Sequence, residues 1–138
     1  MNERQQPAKI ILINGASSAG KSTLARALQQ ELPEPFLHLS FDHLRTSDAL
    51  PMARIRNGTV DWERMRPAVF DGFHRSLAAF AEAGNNLIVD HIIESERWRT
   101  DLVELLTPFD VFCVGVHCPL PELERRERSR GDRRIGGL

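Results

Sequence analysis

The chain has 138 residues, a formal net charge of -1 and 41% hydrophobic residues. A balance this close to neutral leaves no field that would hold nucleic acid or an anionic membrane surface, so neither is expected as a partner. The length fits one domain over residues 1–138, long enough for a real core and short for a nucleotide kinase.

No apolar run approaches the length of a membrane span, and the opening MNERQQPAK lacks the hydrophobic core of a signal peptide. The expectation is a cytoplasmic protein. Cys113 and Cys118 fit neither C-x-x-C nor a zinc pattern and read as free thiols. His38, His43, His74, His91 and His117 show no metal-ligand spacing either.

After a frayed lead-in from Met1 to Ala8, Ile10 to Ile13 form a continuous apolar run, as a parallel strand covered on both faces requires. From Gly15 to Ser22 the chain fits G-x-x-x-x-G-K-[ST], the Walker A signature, with Gly15, Gly20, Lys21 and Ser22 at the fixed positions. Backbone N–H groups close around phosphate oxygens only where no Cβ blocks the approach, which accounts for the glycines. The cradle is read as Gly15, Ala16, Ser17, Ser18, Ala19, Gly20, Lys21, Ser22 and Thr23. Lys21 would reach the β- and γ-phosphates, the Ser22 hydroxyl would bind Mg²⁺, and the helix from Lys21 to about Glu31 would add its positive end. The alternative is a Gly/Ser-rich turn that binds nothing.

Pro33 and Pro35 reset the chain, and Phe36 to Phe41 predicts a second strand with Asp42 at its carboxyl end, where open α/β sheets bind ligands. Thr46 to Arg66 lacks clear periodicity and reads as a mobile substrate-side segment. Pro67 predicts the first residue of a helix in which Val69, Phe73, Leu77 and Phe80 face the core, with Gly84 as its C-terminal cap. A third strand is expected over Asn86 to Ile93, a helix over Glu94 to Leu106, a fourth strand over Asp110 to Val116, and a further helix from about Pro119 or Pro121. This alternation specifies a parallel sheet with right-handed crossovers.

Phosphoryl transfer to an alcohol needs a phosphate cradle, a metal ion, a group to orient or deprotonate the hydroxyl, and cations for the transition state. Asp42 would accept the substrate proton; its structural alternative is an N-cap for a helix starting at His43. Asp90 ends an apolar strand in the manner of a Walker B carboxylate that holds Mg²⁺, against a cap or a structural ion pair. Six arginines fall between Arg125 and Arg134, interleaved with glutamates. The run reads either as a solvated helix face or as a lid that swings guanidinium groups over the nucleotide.

Six stretches together resemble the chloramphenicol phosphotransferase family of small P-loop kinases: IILINGASSAGKS, LPEPFLHLSFDHL, IVDHI, ERWR, VFCVGVHC and RERSRGDR. They span Ile10 to Arg133. The resemblance implies a P-loop, nucleotide-kinase-like three-layer α/β sandwich. It also implies ATP- and Mg²⁺-dependent phosphorylation of a hydroxyl on a small molecule, with chloramphenicol as the namesake substrate. On matching positions it makes Asp42 the general base, Lys21 and Ser22 the phosphate and Mg²⁺ ligands, and Arg130 and Arg133 the lid arginines, with Arg126 in the same motif.

Family members often carry a second acid after the position of Asp90, where this chain has His91. The family's sheet order is 2-3-1-4-5, and the sequence ends after the lid motif, at Gly136-Gly137-Leu138. The expectation is a four-stranded sheet, 2-3-1-4, whose exposed fourth strand favours a homodimer. Two alternatives stand beside an antibiotic kinase: a kinase for another alcohol, sugar or nucleoside, and a nucleotide-binding protein without turnover.

Overall fold

The structure, a computed structural model, describes residues 6–16 and 20–116. Its elements run β1 (Lys9–Gly15), α1 (Lys21–Glu31), β2 (Phe36–Ser40), α2 (Phe41–Thr46), α3 (Met52–Arg56), α4 (Trp62–Glu82), β3 (Asn86–His91), α5 (Glu96–Leu106) and β4 (Asp110–Val116). The strands form a parallel sheet in the order β2-β3-β1-β4, as expected. The helix expected beyond Pro119 lies outside the described residues.

Side chains alternate across a strand, so each strand feeds both faces of the sheet. On one face Ile10, Leu12, Leu87 and Val89 meet Phe73, Leu77 and Ala81 of α4 and Leu102 and Leu106 of α5. On the other, Ile13, Ile88 and Phe36 meet Ala25, flanked by Leu24 and Leu28 of α1. These two cores make the three layers. Ile10, Ile13, Leu77, Leu87, Ile88 and Val89 are fully buried, each worth about 1.5–3 kcal/mol of transfer free energy.

Four boundaries differ from the sequence expectation: β2 ends at Ser40, since Phe41 already opens α2, and the others are at α4, β3 and α5. The long helix begins at Trp62, five residues before Pro67, because the Asp61 side chain caps it by accepting from the N–H of Glu63 at 3.1 Å. Pro67 therefore sits inside the helix, removing one i→i−4 bond near its start. The buried face of α4 is Phe70, Phe73, His74, Leu77 and Ala81, while Val69 is half-buried and Phe80 is 43% exposed. The stripe is thus turned by about one residue from the one expected, and it takes in a histidine.

Gly84 does close α4: its N–H donates to Ala81 at 3.0 Å and that of Asn85 to Phe80 at 3.1 Å, the two bonds of a Schellman motif. β3 stops at His91, since the N–H of Ile93 turns away from the ladder to donate to Asn14 Oδ1 at 3.2 Å. Ser95 caps α5 by accepting from Trp98 at 3.2 Å, so that helix starts at Glu96. The Thr46–Arg66 stretch holds the end of α2, all of α3 and the first turn of α4, with Leu50 buried. Segments of five or six residues are too short to display a helical period.

Candidate functional site

β1 delivers the chain to the phosphate loop between two neighbouring strands. A Cβ on Gly15 would lie 2.6 Å from the carbonyl oxygen of Val116 in β4, so the first motif glycine is demanded by strand packing as well as by phosphate access. Gly20 is the N-cap of α1 and has φ 104°, a left-handed conformation that L side chains resist. The first turn of α1 contains no acidic residue, which leaves its positive end uncompensated by a carboxylate of its own. Lys21 is only 8% exposed and donates to the Ala16 carbonyl at 3.0 Å. Ser17, Ser18 and Ala19, and also Arg126, Arg130 and Arg133, lie outside the described residues.

The alternation of the strands then decides which side chains join Lys21. Asp90 follows Ile88 by two positions and so falls on the α1 face, whereas His91 follows Val89 onto the opposite face. In β2, Phe36, His38 and Ser40 share the α1 face, and Ser40 pairs in register with Asp90. His38 Nε2 lies 2.5 Å from Asp90 Oδ2, and the Ser40 hydroxyl donates to Asp90 Oδ1 at 3.0 Å. Burial opposes charge on Asp90, yet the bond and charge of His38, the Ser40 hydroxyl and the Lys21 ammonium prevail and hold its carboxyl below the usual carboxylate range. With Asp90 ionised, His38 Nε2 is the donor.

Asp42 is the second residue of α2, not its cap. Ser40 takes that place, its hydroxyl accepting from the Asp42 N–H at 3.3 Å. The Asp42 carboxylate faces the Arg45 guanidinium at 3.3 Å in a half-exposed pair.

Gly20, Lys21, Ser22, Asp42 and Asp90 line one cavity of about 270 Å³. Phe41, Leu50, Met52, Ile55, Trp62 and Phe70, from α2, α3, α4 and the loop between, form an apolar stretch of its wall, and Ser40, Arg45, Arg66, His91 and Glu94 add polar groups to the lining. Within that wall Phe41 stacks on Phe70 at 3.9 Å between centroids, and behind it Phe70 meets Trp98 at 4.5 Å. Arg66, whose guanidinium lies 4.9 Å from the Phe70 centroid and 5.5 Å from that of Trp98, is ion-paired with Glu94. His91 stacks against Trp98 at 5.5 Å and shares a 2.9 Å hydrogen bond with His74. Desolvation pushes His91 down to about 3 and lowers His74 as well, so the pair is neutral and one ring donates to the other.

Sequence reasoning missed His38, Ser40 and the aromatic wall. The signal for the first two was their period-two spacing from Phe36, visible only once the face of β2 was known. Among the described residues no three His, Cys, Asp or Glu side chains gather as a metal cluster. The residues nevertheless suit a nucleotide-bound Mg²⁺, which takes one or two carboxylates with phosphate oxygens: an ionised Asp90 and the Ser22 hydroxyl border the same cavity. No helix among the described residues is long and apolar enough to cross a membrane.

Comparison with known proteins extends the match over nearly the whole chain. The family described as chloramphenicol phosphotransferase-like protein matches residues 8–138. A Mycobacterium tuberculosis (strain ATCC 25618 / H37Rv) protein, provisionally named an O-phosphotransferase, is 32% identical over 149 residues, covering 93% of this chain and 65% of the relative. The chain thus spans just under two thirds of that relative's length. The Mycobacterium tuberculosis APS kinase CysC, solved with AMPPNP and APS, superposes with a TM-score of 0.64 at 20% identity, over 93% of this chain and 71% of that one. A chain of the Pnkp1/Rnl/Hen1 RNA repair complex gives a TM-score of 0.68 at 21% identity, over 99% of this chain and 42% of that one. At these identities the two structures establish the shared fold.

Proposed function

The chain belongs to the chloramphenicol phosphotransferase-like family, and on that basis we propose that it is an ATP- and Mg²⁺-dependent phosphotransferase for a hydroxyl of a small molecule, chloramphenicol-type antibiotics first. The observation that carries this reading is the continuity of the cavity. The phosphate-cradle residues Gly20, Lys21 and Ser22 open onto the same space as Asp42 and an apolar wall. A site that only bound nucleotide would have no need of a carboxylate facing an apolar chamber beside the cradle.

In this reading the backbone around Gly15 and Gly20 holds the phosphates and Lys21 meets the transferring group. Ser22 and Asp90 would hold Mg²⁺, which when bound would neutralise charge at the phosphates. Asp42 accepts the acceptor hydroxyl's proton, and Arg45 keeps its carboxylate oriented. Phe41, Trp62 and Phe70 exclude water from one side and take the apolar body of the acceptor. Arg130 and Arg133, with Arg126, complete the proposal as cations closing over the nucleotide.

The test is ADP release from Mg·ATP with and without chloramphenicol, followed by mass spectrometry of the drug. Acceptor-dependent ADP release with a phosphate adduct is expected. ADP release that rises with other hydroxylated compounds and not with chloramphenicol would overturn the acceptor assignment alone; nucleotide binding with no transfer to any of them would overturn the activity.

A further inference from the structure

The Asp90 carboxylate is held from two sides by residues that the phosphate motif does not require. A carboxylate offers about four lone-pair positions over its two oxygens. His38 occupies one on Oδ2 and Ser40 one on Oδ1, which leaves each oxygen a further position and fixes the plane of the group. All three side chains are nearly sequestered: the side chains of His38 and Asp90 are 10% and 6% exposed, and Ser40 as a residue is 5% exposed. The partners sit on β2, one strand over, so the grip depends on the β2–β3 register that pairs Ser40 with Asp90.

Ser40 is engaged twice. Its single proton goes to Asp90 and its lone pair receives the Asp42 N–H, so one hydroxyl spans the end of β3 and the first turn of α2. Rotation of the Asp90 carboxylate away from Ser40 breaks its bond to the same hydroxyl that caps the helix carrying Asp42.

We propose that His38 and Ser40 are positioning residues which fix the Asp90 carboxylate as a ligand for the nucleotide's divalent cation, Ser40 also tying that carboxylate to the turn that presents Asp42. The inference rests on the phosphotransferase reading only for the identity of the cation's partner, a nucleotide phosphate. Without His38 the carboxylate keeps only the Ser40 bond and turns more readily about its χ angles, and a ligand that must be ordered on binding holds its metal less well. Hydrogen-bonded partners of metal ligands contribute about 10–100-fold to affinity in other sites.

The experiment uses Mn²⁺ as the probe, with its free concentration followed by electron paramagnetic resonance in the presence of saturating ADP. His38→Phe and Ser40→Ala are each expected to weaken Mn²⁺ retention about 10–100-fold, while ADP affinity in EDTA and the far-ultraviolet circular dichroism stay as in the wild type. His38→Gln, whose side-chain amide can donate the same bond, is expected to restore most of the retention. A purely structural role would lower ADP affinity in EDTA along with Mn²⁺ retention, and that result overturns the proposal. So does wild-type Mn²⁺ retention in either His38→Phe or Ser40→Ala, whichever folds, or an ADP-bound wild type that holds no Mn²⁺. Loss of Mn²⁺ retention as expected, in a protein that transfers phosphate to nothing, would instead overturn the phosphotransferase reading and leave this one standing.

Discussion

The two sides of the cavity are built on different principles. The side proposed for the phosphates, with Gly20, Lys21, Ser22 and Asp90, is polar and set at the ends of β1 and β3 on the α1 face of the sheet. The side proposed for the acceptor rests on the apolar side chains of Phe41, Leu50, Met52, Ile55, Trp62 and Phe70, gathered from three helices and a loop, with Arg45 and Arg66 among them. Charge at close range tolerates little displacement, so one side needs particular residue types at particular spacings. The other needs only apolar volume, which many side chains at many spacings supply.

The largest effects should fall where the two sides meet the reacting groups, at Lys21 and Asp42, and separate binding from transfer. Lys21→Ala is expected to weaken ATP binding and to lower kcat by about 10²–10³, and Asp42→Ala to lower kcat by about 10²–10⁴ with ATP affinity kept. Steady-state kinetics beside calorimetric ATP titration checks both; unchanged turnover in Asp42→Ala would refute the base assignment. Next comes Gly15→Ala, whose Cβ meets a backbone oxygen of β4 at 2.6 Å and forces strands apart. It should cost about 1–3 kcal/mol of stability in urea denaturation.

Smaller effects sharpen the contrast from the acceptor side. Trp62→Ala removes an aromatic part of the wall and should raise the acceptor KM about tenfold, roughly 1.4 kcal/mol, while the ATP KM stays constant. A change in both constants would show that the two sides do not act separately. Beside the wall, the neutral His74–His91 pair, of which His91 borders the cavity, couples stability to pH. His91 is depressed from 6.5 to about 3 by desolvation, with His74 and Lys21 acting in the same direction and Asp90 against them. Asp71 and Asp101 likewise oppose the shift of His74. The unfolded chain therefore binds protons below pH 6.5 that the folded chain refuses, and stability falls as pH drops through that window. The slope is at most about 1.4 kcal/mol per pH unit for each group. Denaturation series at several pH values should show it, and His91→Phe should flatten it.

This contrast also explains what the sequence disclosed. Gly15, Gly20, Lys21 and Ser22 were legible because the mechanism fixes both their types and their spacing. The sheet order was carried by resemblance and by the alternation of apolar runs with helical segments, and β2-β3-β1-β4 agrees with it. Asp42 and Asp90 were legible as strand-end acids, but their common tie to Ser40 was not, since it depends on a register between two strands. The acceptor wall stayed hidden for a similar reason: α3 has five residues and Leu50 lies in a loop, so no periodicity announces them. At Pro67 a reliable local preference lost to a better one, the Asp61 cap five residues before the expected start.

Every strand of this sheet pairs with one distant in sequence, and β1 pairs on one side with β3 and on the other with β4, Lys9 meeting Asp110. Such long-range pairing makes folding slow, and during synthesis it leaves the central strand bare along one edge until about 100 further residues have emerged. The close seat of Gly15 against Val116 is then completed only when β4 arrives. The phosphate loop leaves the ribosome about 100 residues ahead of the strand that walls it laterally, the last part of the described fold to be delivered.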